Sequence, residues 1–236
     1  MYNTLIFDLD DTLTNDRENM KEAFKVLMNI RNEEFIEDNF NRFYNIDKYV
    51  WKERSSGRLL GPYEDDNKKK TEWIRAQRFI MYYGENNISY NDAVYANNIY
   101  MNGMKEKVVS RDGTYQVLEY LFNKGYRIII ATNGPIIPLN TKLKKLNIKK
   151  FVEVVFSAEE VGFMKPNIKY YEGLFKKANI TSKENVLFIG DELEKDVKGA
   201  NENQIDICWC NYNNEINDKY SIKYEIHDLK EIIDIL

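Results

Sequence analysis

Apolar residues recur along this chain in two rhythms, and the change of rhythm divides it. Thr4-Leu-Ile-Phe-Asp8 is a short apolar run of strand-forming residues that ends in a carboxylate. It predicts a strand whose last residue is Asp8. From about residue 15 to 103 no further run of that kind occurs, and the spacing becomes helical. Met20, Phe24, Leu27 and Met28 follow i, i+4, i+7, i+8, and Trp73, Gln77, Ile80 and Met81 keep a similar stripe. Aromatics crowd this stretch, among them Phe40, Phe43, Tyr49, Trp51, Phe79 and Tyr82, and most are expected to pack helices together.

From about residue 104 strand and helix patterns alternate. The spacing predicts a helix over Thr114–Asn123, ending at Gly125 as a C′ glycine, then a strand over Tyr126–Ala131 that breaks at Thr132-Asn133-Gly134-Pro135. A helix over Pro138–Leu146, a strand over Phe151–Phe156, a helix over Ile168–Ala178 and a strand over Asn185–Ile189 follow. A turn at Gly190-Asp191, a helix to about Asn201, a strand over Ile205–Cys210 and a closing helix from Asp228 complete the chain. Near-continuous apolar strands alternating with helices predict an α/β fold with a parallel sheet covered on both faces. The expected organisation is a catalytic core over 1–14 and 104–236, interrupted by an all-helical domain over 15–103. Ligands of such sheets bind beyond the carboxyl ends of the strands.

Composition narrows the functional classes. The chain has 236 residues, 43% hydrophobic and 31% charged, which is enough apolar material for a substantial core. The net charge of -4 comes from interleaved acids and bases, so a nucleic-acid partner, which would want a basic face, is not expected. The Lys68-Lys69-Lys70 run follows Glu64, Asp65 and Asp66 and reads as a solvated helix start rather than a binding patch. With no 20-residue apolar span and no leader-like start, neither a membrane partner nor export is expected, and the default location is cytoplasmic. Cys208 and Cys210 flank Trp209 in a strand-like stretch, about 6.6 Å apart along the strand with parallel side chains, and read as buried thiols rather than a disulfide. The single histidine, His227, excludes zinc sites built on paired histidines and has no nucleophile motif near it. It reads as a surface or helix-start residue. Chemistry here must run on carboxylates, lysine and hydroxyls.

Four polar groups fall at or just past predicted strand ends: Asp8, Asp10 and Thr12; Thr132 and Asn133; Lys165; and Asp191 with Asp196. One such group alone would read as a solvated turn, but four at one edge of a sheet make a site. Asp8 and Asp10, two apart, begin on the same side of an extended backbone, where two like charges need a cation or a shared proton. A carboxylate nucleophile, Asp8, suits phosphoryl transfer through an aspartyl-phosphate. Asp10 is placed to protonate a leaving alkoxide and then to activate water. Thr132 offers a hydroxyl, the Asn133 and Gly134 amides offer a phosphate-cradling nest, and Lys165 offers a fixed positive charge, with Pro166 expected to start the next helix. Asp191 completes an oxygen-rich Mg²⁺ site with Asp8 and with Asp10, there through a backbone carbonyl near it. Asp196 is expected behind these ligands, orienting Lys165 or a metal-bound water.

Asp8-Leu-Asp10-Asp-Thr12, Thr132-Asn133-Gly134, Lys165-Pro166 and Gly190-Asp191-Glu-Leu-Glu-Lys-Asp196 resemble, in order and spacing, the four motifs of the haloacid dehalogenase (HAD) superfamily. The resemblance implies a Rossmann-like core with the helical insert as a mobile cap. It implies the same roles: Asp8 nucleophile, Asp10 general acid/base, Thr132 and Lys165 phosphate binding, Asp191 metal. Aspartate at both Asp8 and Asp10 is similar to the phosphatases and phosphomutases of that superfamily rather than its dehalogenases, and Asp11-Thr12 resembles the phosphatases. Tyr49-Val-Trp51, Ala131-Thr-Asn-Gly134, Ser157-Ala-Glu-Glu-Val-Gly-Phe-Met-Lys165 and Cys208-Trp209 resemble the YjjG-like pyrimidine 5′-nucleotidases. Glu192 departs from the pattern, standing where serine is usual; it either tightens metal binding or faces solvent.

The resemblance implies a Mg²⁺-dependent phosphatase acting on a nucleoside monophosphate. Trp51 is the candidate for stacking on a base, with Tyr49 and Arg54 on the same stretch, against the alternative that it only packs helices. A small ester such as phosphoglycolate or a sugar phosphate is the alternative substrate. A phosphomutase is a less favoured alternative, as is a non-catalytic binding protein, which would be expected to have lost a charged member of the site. Monomer and homodimer are both open.

Overall fold

The computed structural model describes residues 2–59, 61–63, 66–134 and 136–236. Glu64, Asp65 and Pro135, which figure in the sequence reading, lie outside them, as does the Lys68 side chain. The chain divides into two compact units, Met1–Asp16 with Val108–Leu236, and Arg17–Lys107.

In the first unit, six strands form one parallel sheet: β1 Thr4–Phe7, β2 Arg127–Thr132, β3 Val154–Ser157, β4 Val186–Gly190, β5 Asp206–Cys210 and β6 Tyr224–Ile226, in the order β3-β2-β1-β4-β5-β6. β1, the first strand in sequence, therefore sits at the centre, with Ile6 level with Ile129 on one side and Phe188 on the other. Alternation along each strand sorts side chains to two faces. Leu5, Phe7, Ile128, Ile130, Leu187, Ile189, Cys208 and Cys210 pack on one face beneath α5 (Thr114–Asn123), α6 (Ile136–Lys145) and the terminal α9 (Ile232–Ile235). Ile6, Ile129, Ala131, Phe188, Ile207 and Trp209 pack on the other, beneath α7 (Ile168–Lys177) and α8 (Lys198–Glu202). Each large apolar side chain buried this way contributes about 1.5–3 kcal/mol. Both faces are covered, so the strands are apolar throughout rather than alternating with polar residues.

Several details differ from the sequence reading: β3 begins at Val154 rather than Phe151, which lies in a 3₁₀ turn, and Thr132 closes β2 rather than following it. β6 was not predicted, because Tyr-Glu-Ile is too short to show a period. Asp8 lies one residue beyond β1, although its N–H still donates to the Ile189 carbonyl at 2.8 Å and keeps the strand's line. Pro166 does not start α7; the helix begins two residues later, capped by Asn167, whose side chain accepts from the Lys169 N–H. Cys208 and Cys210 are buried free thiols, and His227 is exposed.

The second unit is built from the rest of α1 (Asp16–Ile30) with α2 (Glu37–Ser55), α3 (Asn67–Tyr83) and α4 (Tyr90–Glu106). Its centre is aromatic: Phe43 lies 5.0 Å from Phe24, 5.1 Å from Phe79 and 5.2 Å from Tyr100, ring centre to ring centre. α1 and α4 approach so closely that a Cβ on Gly103 would stand 2.9 Å from the Ala23 Cα. Phe24, Leu27 and Met28 are buried as the stripe on α1 predicts. The stripe on α3 is displaced: Ile74, Ala76, Phe79 and Tyr82 turn inward with Arg78, while Met81 is exposed and Trp73, Gln77 and Ile80 are half-buried. The inward face was disguised by Arg78, which enters the core because Asp47 and Asn97 meet its guanidinium at 2.5 and 2.6 Å.

Candidate active site

All four polar groups sit at or past the carboxyl ends of β1, β2, β3 and β4, in the first unit, Thr132 being the last residue of β2. The loop after β1 folds tightly: the N–H groups of Leu13 and Thr14 both return to the Leu9 carbonyl, and Asp11 adopts a left-handed backbone with φ 62°. Arg111 clamps that turn, donating twice to the Asp11 carbonyl at 3.1 and 2.8 Å. Its guanidinium lies 3.8 Å from the centre of the Tyr212 ring, and the Tyr212 hydroxyl donates to the Thr12 carbonyl.

Lys165 reaches the centre of the site from beyond β3. Its ammonium donates to Asp8 Oδ1 at 2.6 Å, Asp196 Oδ1 at 2.7 Å and the Ala131 carbonyl at 3.2 Å. Its backbone is fixed by Asn133, whose Oδ1 accepts the Lys165 N–H at 2.7 Å and whose Nδ2 donates to the Lys165 carbonyl at 3.3 Å. The Asn133 side chain is thus committed to Lys165, leaving the backbone for any phosphate contact. The Gly134 N–H donates to Thr132 Oγ1 at 3.0 Å, so the nest expected there is engaged internally.

Asp191 lies just past β4, accepting the Thr12 hydroxyl at 2.7 Å on Oδ1, while its carbonyl accepts the Trp209 indole N–H at 2.8 Å. Asp196 is held by the Glu192 N–H at 3.1 Å. Among the described residues, Asp8, Asp191 and Asp196 bring carboxylate oxygens within 4.8 Å of one another, the separation a hard divalent cation spans with oxygen ligands. Asp196 is therefore a potential ligand as well as the partner of Lys165. The Asp10 carboxylate does not join this cluster. It turns to Lys142 and to the Thr132 hydroxyl, 3.4 Å from its Oδ2. Glu192 is exposed and paired with Lys195 at 2.6 Å, outside the acidic cluster.

Electrostatics match a site short of positive charge. Burial, with the charges of Asp196 and Asp10 adding to it and the Lys165 ammonium opposing it, pushes the Asp8 carboxyl up to about 8. Burial and then Asp8 and Asp196 hold Asp191 well above the usual carboxylate range, against the Thr12 hydroxyl. Burial disfavours the ammonium of Lys165, but Asp196 and Asp8 outweigh it and keep the group charged. Three crowded carboxylates beside one ammonium are one cation short, which is the donor set Mg²⁺ fits.

A cavity of about 110 Å³ opens onto Asp8, Asp10, Thr132, Lys165 and Asp196, with Glu192 and Lys195 at its rim. Sequence reasoning missed three residues that hold the loop after β1: Arg111, Tyr212 and Lys142. None carries a local signal; Lys142 is one of three lysines in the last turn of α6. Trp51 belongs to the helical unit, half-buried on α2, with the Arg54 guanidinium 5.5 Å from its ring centre.

The chain belongs to the haloacid dehalogenase-like hydrolase family, whose description matches residues 2–203. It is 26% identical to the HAD-hydrolase YfnB of Bacillus subtilis over 236 residues, all of this chain and 95% of that protein. It is 24% identical to pyrimidine 5′-nucleotidase PynA of Streptococcus pneumoniae, again over all of this chain and 95% of the relative. It is 27% identical to the glyceraldehyde 3-phosphate phosphatase of Methanocaldococcus jannaschii, over all of this chain and 97% of the relative. The crystal structure of B. subtilis YfnB bound to magnesium superimposes with a TM-score of 0.84 at 25% identity, covering all of this chain and 98% of that one. Among the described residues, no helix is long and apolar enough to cross a membrane.

Proposed function

We propose that this chain is a Mg²⁺-dependent phosphatase that forms an aspartyl-phosphate on Asp8. The observation that carries the reading is the Asp8–Lys165–Asp196 chain of contacts, 2.6 and 2.7 Å, with Asp191 in the same cluster of carboxylates. Asp8, Asp191 and Asp196, with a backbone carbonyl near Asp10, would hold the Mg²⁺. When bound, the metal supplies positive charge against the phosphoryl oxygens.

The Asp8 carboxylate attacks phosphorus, the ester P–O bond breaks, and Asp10 gives its proton to the departing alkoxide. Asp10, now a carboxylate, takes a proton from water, whose oxygen attacks the phosphoryl group and releases phosphate and free Asp8. Lys165 holds Asp8 in place through both steps and stays charged throughout. Thr132 and the Asn133 backbone meet the phosphoryl oxygens.

The substrate we infer is a pyrimidine nucleoside 5′-monophosphate. The support is the name of PynA and, over about half this chain, of the Escherichia coli pyrimidine 5′-nucleotidase YjjG at 27% identity. A second reading, a small phosphate ester, is favoured by the full-length likeness to the glyceraldehyde 3-phosphate phosphatase.

Phosphate release, measured with Mg²⁺ across nucleoside 5′- and 3′-monophosphates, phosphoglycolate, glyceraldehyde 3-phosphate and p-nitrophenyl phosphate, tests both. Preference for UMP, dUMP or dTMP supports the nucleotidase reading, and preference for a small ester replaces it. Asp8→Asn is expected to abolish release with the fold intact; more than a few per cent of residual turnover would overturn the nucleophile.

A further inference from the structure

Lys142 stands beside the site without belonging to any of its motifs. It projects from α6, and its ammonium donates to Asp10 Oδ1 and lies 3.5 Å from Asp16 Oδ1. Asp16 is itself anchored, since its Oδ1 accepts the Thr14 hydroxyl at 2.9 Å and its N–H donates to Asp11 Oδ1. Lys142 thus bridges the two ends of the 10–16 loop.

Asp10 needs such a bridge. Its side chain is 36% exposed, against 9% for Asp8, and apart from Lys142 the described residues bring it only the 3.4 Å approach of the Thr132 hydroxyl. An aspartate so loosely held samples several rotamers. Proton transfer demands hydrogen-bond reach, and about 1 Å of misplacement costs about 10²-fold in rate. The backbone of the same loop is fixed separately, by Arg111 on the Asp11 carbonyl and Tyr212 on the Thr12 carbonyl. Removing the Lys142 ammonium therefore frees the carboxylate of Asp10 without releasing the loop that carries it.

We propose that Lys142 is the positioning residue that aims the Asp10 carboxyl at the leaving-group oxygen, using Asp16 as its second anchor. The inference rests on the phosphatase reading above. Lys142 makes no contact with the phosphoryl group in this role. In the step that releases the alcohol, its effect is felt only where Asp10 must deliver a proton.

The test is a single-turnover measurement on the full chain with Mg²⁺ and excess enzyme, reading release of the alcohol from two esters. p-Nitrophenyl phosphate has a leaving group that departs as an anion near neutral pH, whereas a nucleoside 5′-monophosphate or another alkyl ester releases an alkoxide that must be protonated. Lys142→Met is expected to slow alkyl-ester cleavage by about 10²-fold and nitrophenyl cleavage by less than about 10-fold, with substrate affinity nearly unchanged. Lys142→Arg, which keeps the charge and the reach, is expected to restore most of the alkyl-ester rate. Equal losses on both esters, a change confined to affinity, or a Lys142→Met enzyme as fast as wild type would each overturn the proposal. A wild-type chain that cleaves neither ester would instead overturn the phosphatase reading, a result visible before any variant is made.

Discussion

Lys165 and Asp196 form a sealed ion pair, 2.7 Å from Nζ to Oδ1, with each side chain only 2% exposed. The same ammonium holds Asp8, so one cation keeps two buried carboxylates apart. Lys165→Met leaves them uncompensated, and breaking a buried pair costs about 3–5 kcal/mol. A large fall in Tm is expected, together with loss of turnover by at least about 10²-fold. Added Mg²⁺ should recover part of the lost Tm, because it supplies charge to the same carboxylates. Thermal melts with and without Mg²⁺ measure this, and an unchanged Tm would contradict the pairing.

Metal binding can be followed without turnover. The wild-type Tm is expected to rise with Mg²⁺ along a saturating curve, by about 2.7 kcal/mol of added stability at a hundred times Kd, and to fall back with EDTA. Asp191→Ala should flatten that curve by removing one of the three carboxylates. EDTA should also silence phosphate release. An equal Mg²⁺ response in wild type and Asp191→Ala would move the metal elsewhere.

Gly190, the last residue of β4, lies against Asp196. A Cβ there would stand 2.5 Å from the Asp196 Cγ and 2.6 Å from its Oδ2. Gly190→Ala must displace Asp196 and with it the Lys165 ammonium. Turnover is expected to fall about 10²-fold, the penalty for roughly 1 Å of misplacement. Circular dichroism should show the secondary structure retained, since the clash is with one side chain rather than with the sheet.

In the helical unit, Arg78 donates to Asp47, Asn97 and the Arg75 carbonyl. Arg78→Met is expected to cost about 3–5 kcal/mol, since it strands Asp47 in the core. The double substitution Arg78→Met with Asp47→Leu should cost less than the sum of the two single changes, by about 1–3 kcal/mol. Denaturant melts of the four chains form the cycle, and strict additivity would show that the pair is not coupled.

Burial pushes the Cys208 thiol up to about 12 and Cys210 well above its usual value. Neither forms thiolate near neutral pH, and neither is open to a reagent. The native chain is expected to titrate no thiols with a disulfide reagent over minutes, and two after unfolding. A fast native reaction would show that β5 opens readily.

The order of strands and helices in the first unit was legible because its signals are local. Apolar runs mark strands buried on both faces, helical stripes mark what covers them, and Gly125 marks a helix end. The placement of Asp8, Thr132, Lys165 and Asp191 at or beyond strand ends followed from the same local signals plus one rule of parallel sheets. Signals shorter or mixed failed: β6 is three residues long, and Arg78 masked the inward face of α3.

What the sequence determined by itself is therefore the alternation of elements and the edge of the sheet at which the chemistry-bearing residues gather, since both depend on residues a few positions apart. Tertiary structure alone decided which charges meet. Lys142 reaches Asp10 across 132 positions, Arg111 reaches the Asp11 carbonyl across 100, and Thr12 reaches Asp191 across 179. Asp10 turned toward a lysine instead of toward the carboxylates of Asp8 and Asp191 for the same reason. A long, charged side chain takes whichever counter-charge the packed elements bring within about 3 Å, and no local period encodes that distance.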